Sequence, residues 1–388
     1  MLKRLLPAAI AALFATAALA ADPPPPPPGG AILSWTPAQQ LYGYRNMEKV
    51  TPVHVVKRGT QVRELPLGAQ VDPRWTWNGK PQTVAGYMAA MNTSGVVALK
   101  DGRIVLERYG MGRTAQERWT SFSVAKSVTA TLVGAAIKDG YIKSLDDPVT
   151  GYIPELKGSG YDGVTVRQLI TMTSGVKWNE DYTDPKSDVA QAGFSTDQPG
   201  LNPIVSYMRK LPRETAPGSK FVYKTGETDL AGILVSNAVG KPLSQYLSEK
   251  IWAPYGMEQD AVWVDDVAGH ERGGCCLSMT VRDYARIGQF MLEGGKAGGA
   301  LVVPDGWVAD ATTAHVKFPP GDVETGYGYF WWIIPGGYAA EGIFGQQIFI
   351  YPQDRLVIAI NSAWPVASAP ALWKAQQAFA EAIRTATR

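Results

Sequence analysis

The chain has 388 residues, 45% of them hydrophobic and 10% aromatic, with 37 basic against 35 acidic side chains and a formal net charge of +2. That length and apolar content bury a large core in one big domain or two lobes, and the nearly balanced charge excludes the electrostatic footprint of a nucleic-acid binder. Three scattered histidines (His54, His270, His315) with no HExxH spacing, and two adjacent cysteines with no CxxC, exclude the usual zinc patterns, so no metal and no cofactor are expected.

The N-terminus carries Lys3-Arg4, an apolar run over 5–19 and the small-x-small sequence Ala18-Leu19-Ala20. This pattern predicts a cleaved signal peptide over 1–20 and a secreted or periplasmic protein. The run is short for a membrane span and no cysteine follows the cleavage site, so no stable membrane anchor is expected. Removing 1–20 removes two basic residues and leaves 35 of each sign. Residues 21–30 read as a proline-rich, semi-rigid linker and 31–81 as an irregular arm. The main domain is expected over 82–388.

Runs at 96–100 and 103–109 around Asp101-Gly102 predict a β-hairpin. A helical stretch over 123–137 then begins with Ser123-Val124-Ala125-Lys126. Residues three apart share a helix face, so Lys126 stands one turn above Ser123. Burial lowers a lysine's pKa, which suits Lys126 to take the Ser123 proton. Free backbone N–H groups at the helix start suit a developing oxyanion. The alternative for this pair is a capping serine beside a solvated lysine. Ser174-Gly175-Val176-Lys177 repeats the spacing, but Ser174-Gly175 reads as a helix end, which leaves Lys177 no turn to place it over Ser174. The adjacent Cys275-Cys276 read as two buried reduced thiols, since a bridge between neighbours is strained. Further helices are predicted at 164–173, 228–239, 242–251, 280–293 and 371–383, and strands at 329–334, 347–351 and 355–361. Strands at both ends and helices between give an α+β fold: one antiparallel sheet flanked by helices, with an all-helical region inserted in sequence.

The order of motifs resembles the serine β-lactamase and penicillin-binding-protein superfamily, and within it the class C-like branch of esterases, D-amino-acid peptidases and 6-aminohexanoate-dimer hydrolases. The resemblance covers roughly 82–380. It rests on the Asp101-Gly102 hairpin, Trp119-Thr120-Ser121-Phe122-Ser123-Val124-Ala125-Lys126, Leu145-Asp146-Asp147-Pro148-Val149, Val164-Thr165-Val166-Arg167-Gln168-Leu169-Ile170 and Thr173-Ser174-Gly175. Pro217-Gly218-Ser219-Lys220-Phe221-Val222-Tyr223 follows, then Gly273-Gly274 leading to Leu277-Ser278-Met279-Thr280-Val281-Arg282-Asp283, and Gly326-Tyr327-Gly328-Tyr329. It implies Ser123 as nucleophile with Lys126, and a second catalytic tyrosine, Tyr223, in a Tyr-x-Asn box that here reads Tyr223-Lys224-Thr225. Tyr223 would relay protons with its pKa lowered by the nearby lysine, and Thr225 would replace an amide-bearing asparagine. Lys224-Thr225-Gly226 spells the family's third element, but it stands at the wrong place. The resemblance puts that element at Ile343-Phe344-Gly345-Gln346, before the strand 347–351. The N–H groups of Ser123 and Gln346 would then form the oxyanion hole, with Gly345 allowing close approach. A loop tyrosine reaching the substrate amide would be Tyr182, in an acidic segment over 180–184 suited to a substrate ammonium.

These features predict a serine hydrolase that cleaves a small amide or ester through an acyl-enzyme, with a linear amide such as an aminohexanoate oligomer favoured. A carboxylesterase or a β-lactamase/D-Ala peptidase on the same site is the alternative. From a different class, the rival is a non-catalytic envelope-binding protein. Ile343-Phe344, where relatives hold a carboxylate with basic and hydroxyl residues, speaks against antibiotic hydrolysis.

Overall fold

The computed structural model describes residues 26–193, 200–321 and 323–388. The signal sequence predicted over 1–20 lies outside them. Near-continuous apolar runs build the centre of the molecule. Leu356–Ser362 is buried along its whole length and Thr93–Lys100 along all but its last residue, which is the pattern of strands covered on both faces. The two pair antiparallel and so join the early hairpin to the late strands. The resulting sheet has eight strands in the order Val316–Lys317, Gly326–Tyr327, Trp332–Ile334, Gly337–Gly342, Gln346–Tyr351, Leu356–Ser362, Thr93–Lys100 and Arg103–Tyr109. Every neighbouring pair is antiparallel. Asp101 and Gly102 both have positive φ, the turn that matches strand twist in a tight hairpin.

Alternation along the strands divides the core. Val97, Leu99, Ile348, Ile350, Val357 and Ala359 face one side, with the helices Val124–Lys138 and Val281–Leu292. Val96, Ala98, Phe349 and Ile358 face the other, under Val84–Ala90 and the closing helix Pro370–Ala386. The helices between the two strand groups include Val166–Ile170, Thr225–Val239 and Leu243–Leu247. The α+β arrangement is therefore the one read from the sequence.

The structure differs from the sequence reading in the arm, in the strands and at the cysteines. The segment 31–81 is not irregular throughout. Pro37–Gly43 is a helix with a capping box on Thr36, Val53–Val56 pairs with Ala261–Val264, and Arg74–Trp77 forms a hairpin with Lys80–Thr83. A strand absent from the prediction, Gly337–Gly342, lies in the middle of the sheet. Cys275 and Cys276 are joined in a vicinal disulfide rather than held as two thiols, with Cys276 at φ +72°. No helix among the described residues is long and apolar enough to cross a membrane.

Candidate active site

Ser123 is the N-cap of the helix Val124–Lys138, whose residues are buried from Val124 to Ala136. The residue before it, Phe122, is held at φ +44°, an uncommon conformation for an aromatic residue. Its ring meets Tyr44 edge-on at 5.2 Å and Phe344 at 5.2 Å, and the Thr120 N–H donates to the Tyr44 carbonyl at 2.9 Å. The arm thus supports the turn that presents Ser123.

Lys126 is fully buried, and its ammonium donates to Ser123 Oγ at 3.0 Å, Thr225 Oγ1 at 3.0 Å and the Gly274 carbonyl at 2.7 Å. Burial pulls its pKa down to about 8, against the opposing pull of Glu180 and Asp229. The Gly274 carbonyl is itself fixed, because the Gly274 N–H donates to Asp229 at 2.8 Å and Asp229 pairs with Arg272 at 3.0 Å.

Tyr223 lies on an extended segment, with its ring 5.2 Å from the Lys126 ammonium and stacked on Trp332 at 5.5 Å. Its phenol has Ser123 as a hydrogen-bonding neighbour. Burial, and then the charge of Glu180, push that phenol well above its ordinary pKa. The lowering expected from the lysine is overturned: desolvation of the phenolate dominates, and the opposing pull comes from the Ser123 hydrogen bond. The next side chain turns the other way. Lys224 is fully buried, 3.4 Å from Ser174 Oγ and 3.4 Å from Glu227. Ser174 donates to Glu227 and Lys177 is exposed, so the second Ser-x-x-Lys is a structural knot under the site.

A cavity of about 230 Å³ opens over Ser123, lined also by Glu180, Tyr182, Tyr223, Gly342 and Ile343. A smaller one of about 100 Å³ adjoins it beside Thr225, Gly274 and Cys275. A larger hollow of about 420 Å³ lies beside His54 and His270 and contains none of the Ser123 cluster. Tyr182 donates to Glu180 Oε1 at 2.9 Å, and the Thr225 N–H donates to Glu180 Oε2 at 2.9 Å. Glu180 also accepts from Trp178 and from the Thr225 hydroxyl. Sequence reasoning counted Glu180 only as part of an acidic loop. The structure makes it the carboxylate that ties Tyr182, Trp178 and Thr225 together.

Two expected residues stand elsewhere. Gly345 has φ +87°, and a Cβ there would lie 2.5 Å from the Trp364 ring. Gln346 is fully buried, with its amide donating to the carbonyls of Phe344 at 3.0 Å and Ser362 at 2.7 Å. Both brace the hairpin behind the site, and neither lines the cavity. The strand beside Ser123 is Gly337–Gly342, one strand earlier than the sequence placed it. A Cβ on Gly342 would lie 2.4 Å from the Ser121 carbonyl and 3.0 Å from the Ser123 nitrogen. The triplet beside Ser123 is therefore Ala340-Glu341-Gly342, followed by Ile343. Among the described residues, neither the Ser123 N–H nor the Ile343 N–H finds a hydrogen-bond partner.

The beta-lactamase family model matches residues 81–381. The chain belongs to the beta-lactamase family. It is 33% identical over 289 residues to a 6-aminohexanoate-dimer hydrolase of Paenarthrobacter ureafaciens, a match covering 70% of this chain and 73% of that one. A beta-lactamase of Pseudomonas fluorescens is 24% identical over 216 residues, covering 53% and 54%. Among solved structures, a Bacillus anthracis protein assigned as a 6-aminohexanoate-dimer hydrolase superposes with a TM-score of 0.80 at 24% identity, covering 91% of this chain and 94% of that one. A family VIII carboxylesterase superposes with a TM-score of 0.59 at 17% identity, covering 77% and 96%. The chain is a serine hydrolase of this family, related to the 6-aminohexanoate-dimer hydrolases.

Proposed function

We propose that Ser123 is the nucleophile of an amidase/esterase that works through an acyl-enzyme, with a small linear amide of the aminohexanoate-oligomer kind as its favoured substrate. The observation that carries this reading is the 3.0 Å contact between Ser123 Oγ and a buried lysine whose pKa lies at about 8. Near neutral pH a useful fraction of Lys126 is uncharged and able to accept a proton. Ser123 Oγ attacks the substrate carbonyl carbon as its proton passes to Lys126. The oxyanion forms between the N–H groups of Ser123 and Ile343, the two unpartnered donors on either side of the Gly342 close approach. Tyr223, whose raised pKa keeps it a neutral phenol, hands a proton to the leaving amine or alkoxide as the carbonyl re-forms. The proton held by Lys126 then passes to Tyr223, water attacks the acyl-Ser123 ester as its proton moves to Lys126, and Lys126 returns that proton to Ser123 Oγ as the acid is released. Thr225 and Tyr182 orient the site through Glu180.

Glu341 supports a substrate without an anionic group at that side of the carbonyl. A carboxylate there would meet a carboxyl in place of a donor, losing a charge-assisted hydrogen bond of roughly 1.5–3 kcal/mol, about one to two decades in kcat/KM. The test is kcat/KM for nitrocefin, a p-nitrophenyl ester, a D-Ala amide and the aminohexanoate dimer in one buffer. The expected result is turnover of the ester and the linear amide with nitrocefin poorest. Nitrocefin as the best substrate by tenfold would defeat the reading. The proposal extends to export, supported by the Lys3-Arg4 and Ala18-Leu19-Ala20 pattern; an intact mass lacking residues 1–20 in protein recovered from the periplasm or medium is the expected outcome.

A further inference from the structure

The cavity over Ser123 is also lined by carboxyls that the acyl-transfer steps do not use. Glu341, on the strand Gly337–Gly342, is 7% exposed and lines the same cavity as Ser123, and Glu324 lines it too. Glu341 Oε1 accepts from the Gln347 amide at 2.7 Å, across a register pair of the sheet. Its Oε2 has no donor among the described residues, yet it is not sealed off, so it opens toward the cavity. By contrast, the acidic loop over 180–184 is committed locally. Glu180 is taken up by Thr225, Trp178 and Tyr182, Asp181 accepts from Thr183, and Asp184 accepts from the Lys186 N–H at 2.8 Å.

We propose that Glu341, assisted by Glu324, is a subsite for an aliphatic primary ammonium on the substrate, and that it sets the specificity of the Ser123 hydrolase. The proposal rests on Ser123 being the nucleophile, as argued above. A buried carboxyl with a second carboxyl nearby ionises poorly. Burial and Glu324 accordingly push Glu341 well above its ordinary pKa. An ammonium entering the cavity would meet an acceptor oxygen with no competing donor and would relieve that repulsion. A neutral alkyl group of equal length would gain neither effect. A carboxylate would add a like charge beside Glu324. The nearby Trp332 and Ile343 offer apolar wall for a methylene chain between the ammonium and the scissile carbonyl.

The test compares p-nitrophenyl esters of 6-aminohexanoate, heptanoate and adipate on the full chain. A second arm uses n-hexylammonium and hexan-1-ol as inhibitors of p-nitrophenyl acetate hydrolysis, so a cation held on the leaving-group side is also seen. The wild type is expected to favour the ammonium member of either arm at least tenfold. Glu341→Gln is expected to reduce that ammonium-to-neutral ratio by about 10- to 100-fold, the range of one hydrogen bond to a charged group. Glu324→Gln should shift the ratio the same way, and it serves if Glu341→Gln does not fold. A ratio within threefold of wild type in both variants, or no ammonium preference in either arm, overturns the subsite. Labelling of Ser123 by a fluorophosphonate probe in the same preparations separates this failure from failure of the hydrolase reading itself.

Discussion

Around Ser123 a proton has two partners of opposite character. In the proposed reaction Lys126 is the base, its pKa brought by burial to about 8, and Tyr223 the acid, its pKa raised by burial. Acylation should therefore rise with pH and level off above a midpoint near 8, as Lys126 loses its charge. A stopped-flow pH profile with a p-nitrophenyl ester checks this, and a flat profile between pH 6 and 9 would contradict it. The stability linkage has the matching sign. The folded-state pKa lies below the free value of 10.5, so the unfolded chain binds more protons between about 8 and 10.5, and stability from this group rises with pH across that window. Lys126→Ala should remove the midpoint and slow turnover by about 100- to 10,000-fold. Lys224, one residue from Tyr223, belongs to a different problem. Removing it strands Glu227 in the core, at a cost of roughly 3–5 kcal/mol. Lys224→Ala should thus lower the urea midpoint sharply. The paired change Lys224→Met with Glu227→Gln should recover much of it, and a single variant as stable as wild type would contradict the buried pair.

At the scale of elements, the strand Gly337–Gly342 decides the site, and it was the least legible part of the sequence. Gly337-Tyr338-Ala339-Ala340-Glu341-Gly342 has no β-branched residue, the usual mark of a strand. Its small residues are there because neighbours press close. Gly342 faces the Ser121 carbonyl and the Ser123 nitrogen, and a Cβ on Gly337 would lie 2.1 Å from the Ile350 carbonyl. Missing that strand put the expected oxyanion donor at Gln346, whereas the N–H proposed above for that role is Ile343. By contrast, Ser123 and Lys126 were legible, because a helix start and a three-residue spacing are local facts. Gly342→Ala should push strand and nucleophile apart, lowering ester kcat/KM by about 100-fold, the effect of misplacing a reacting group by about 1 Å. Activity within threefold of wild type would show that the close approach is dispensable.

For the whole molecule, the early hairpin and the late strands are joined by long-range pairing, and the turn before Ser123 is supported from the N-terminal arm. The hairpin, the late strands and the intervening helices were visible in hydrophobic patterning, which is why the α+β architecture could be read in advance. The arm was not, since its packing residues Trp35, Tyr44 and Met47 lie in a Pro- and Gly-rich stretch with no period and meet Trp119, Phe122 and Phe344 only in the fold. The vicinal disulfide was equally hidden, because adjacency in sequence does not reveal bonding. Tyr44→Ala should cost about 3–5 kcal/mol, as expected for deleting a buried aromatic. It should also slow probe labelling of Ser123 by loosening Phe122. Denaturant titration and labelling rate on one preparation check both, and unchanged labelling in the folded variant would detach the arm from the site.

The claim on which the rest depends is covalent chemistry at Ser123, and intact-mass spectrometry after treatment with a fluorophosphonate probe tests it most directly. The account predicts one added probe mass on the wild type and on Ser174→Ala, and none on Ser123→Ala at the same exposure. Labelling of Ser123→Ala at the wild-type rate would contradict it.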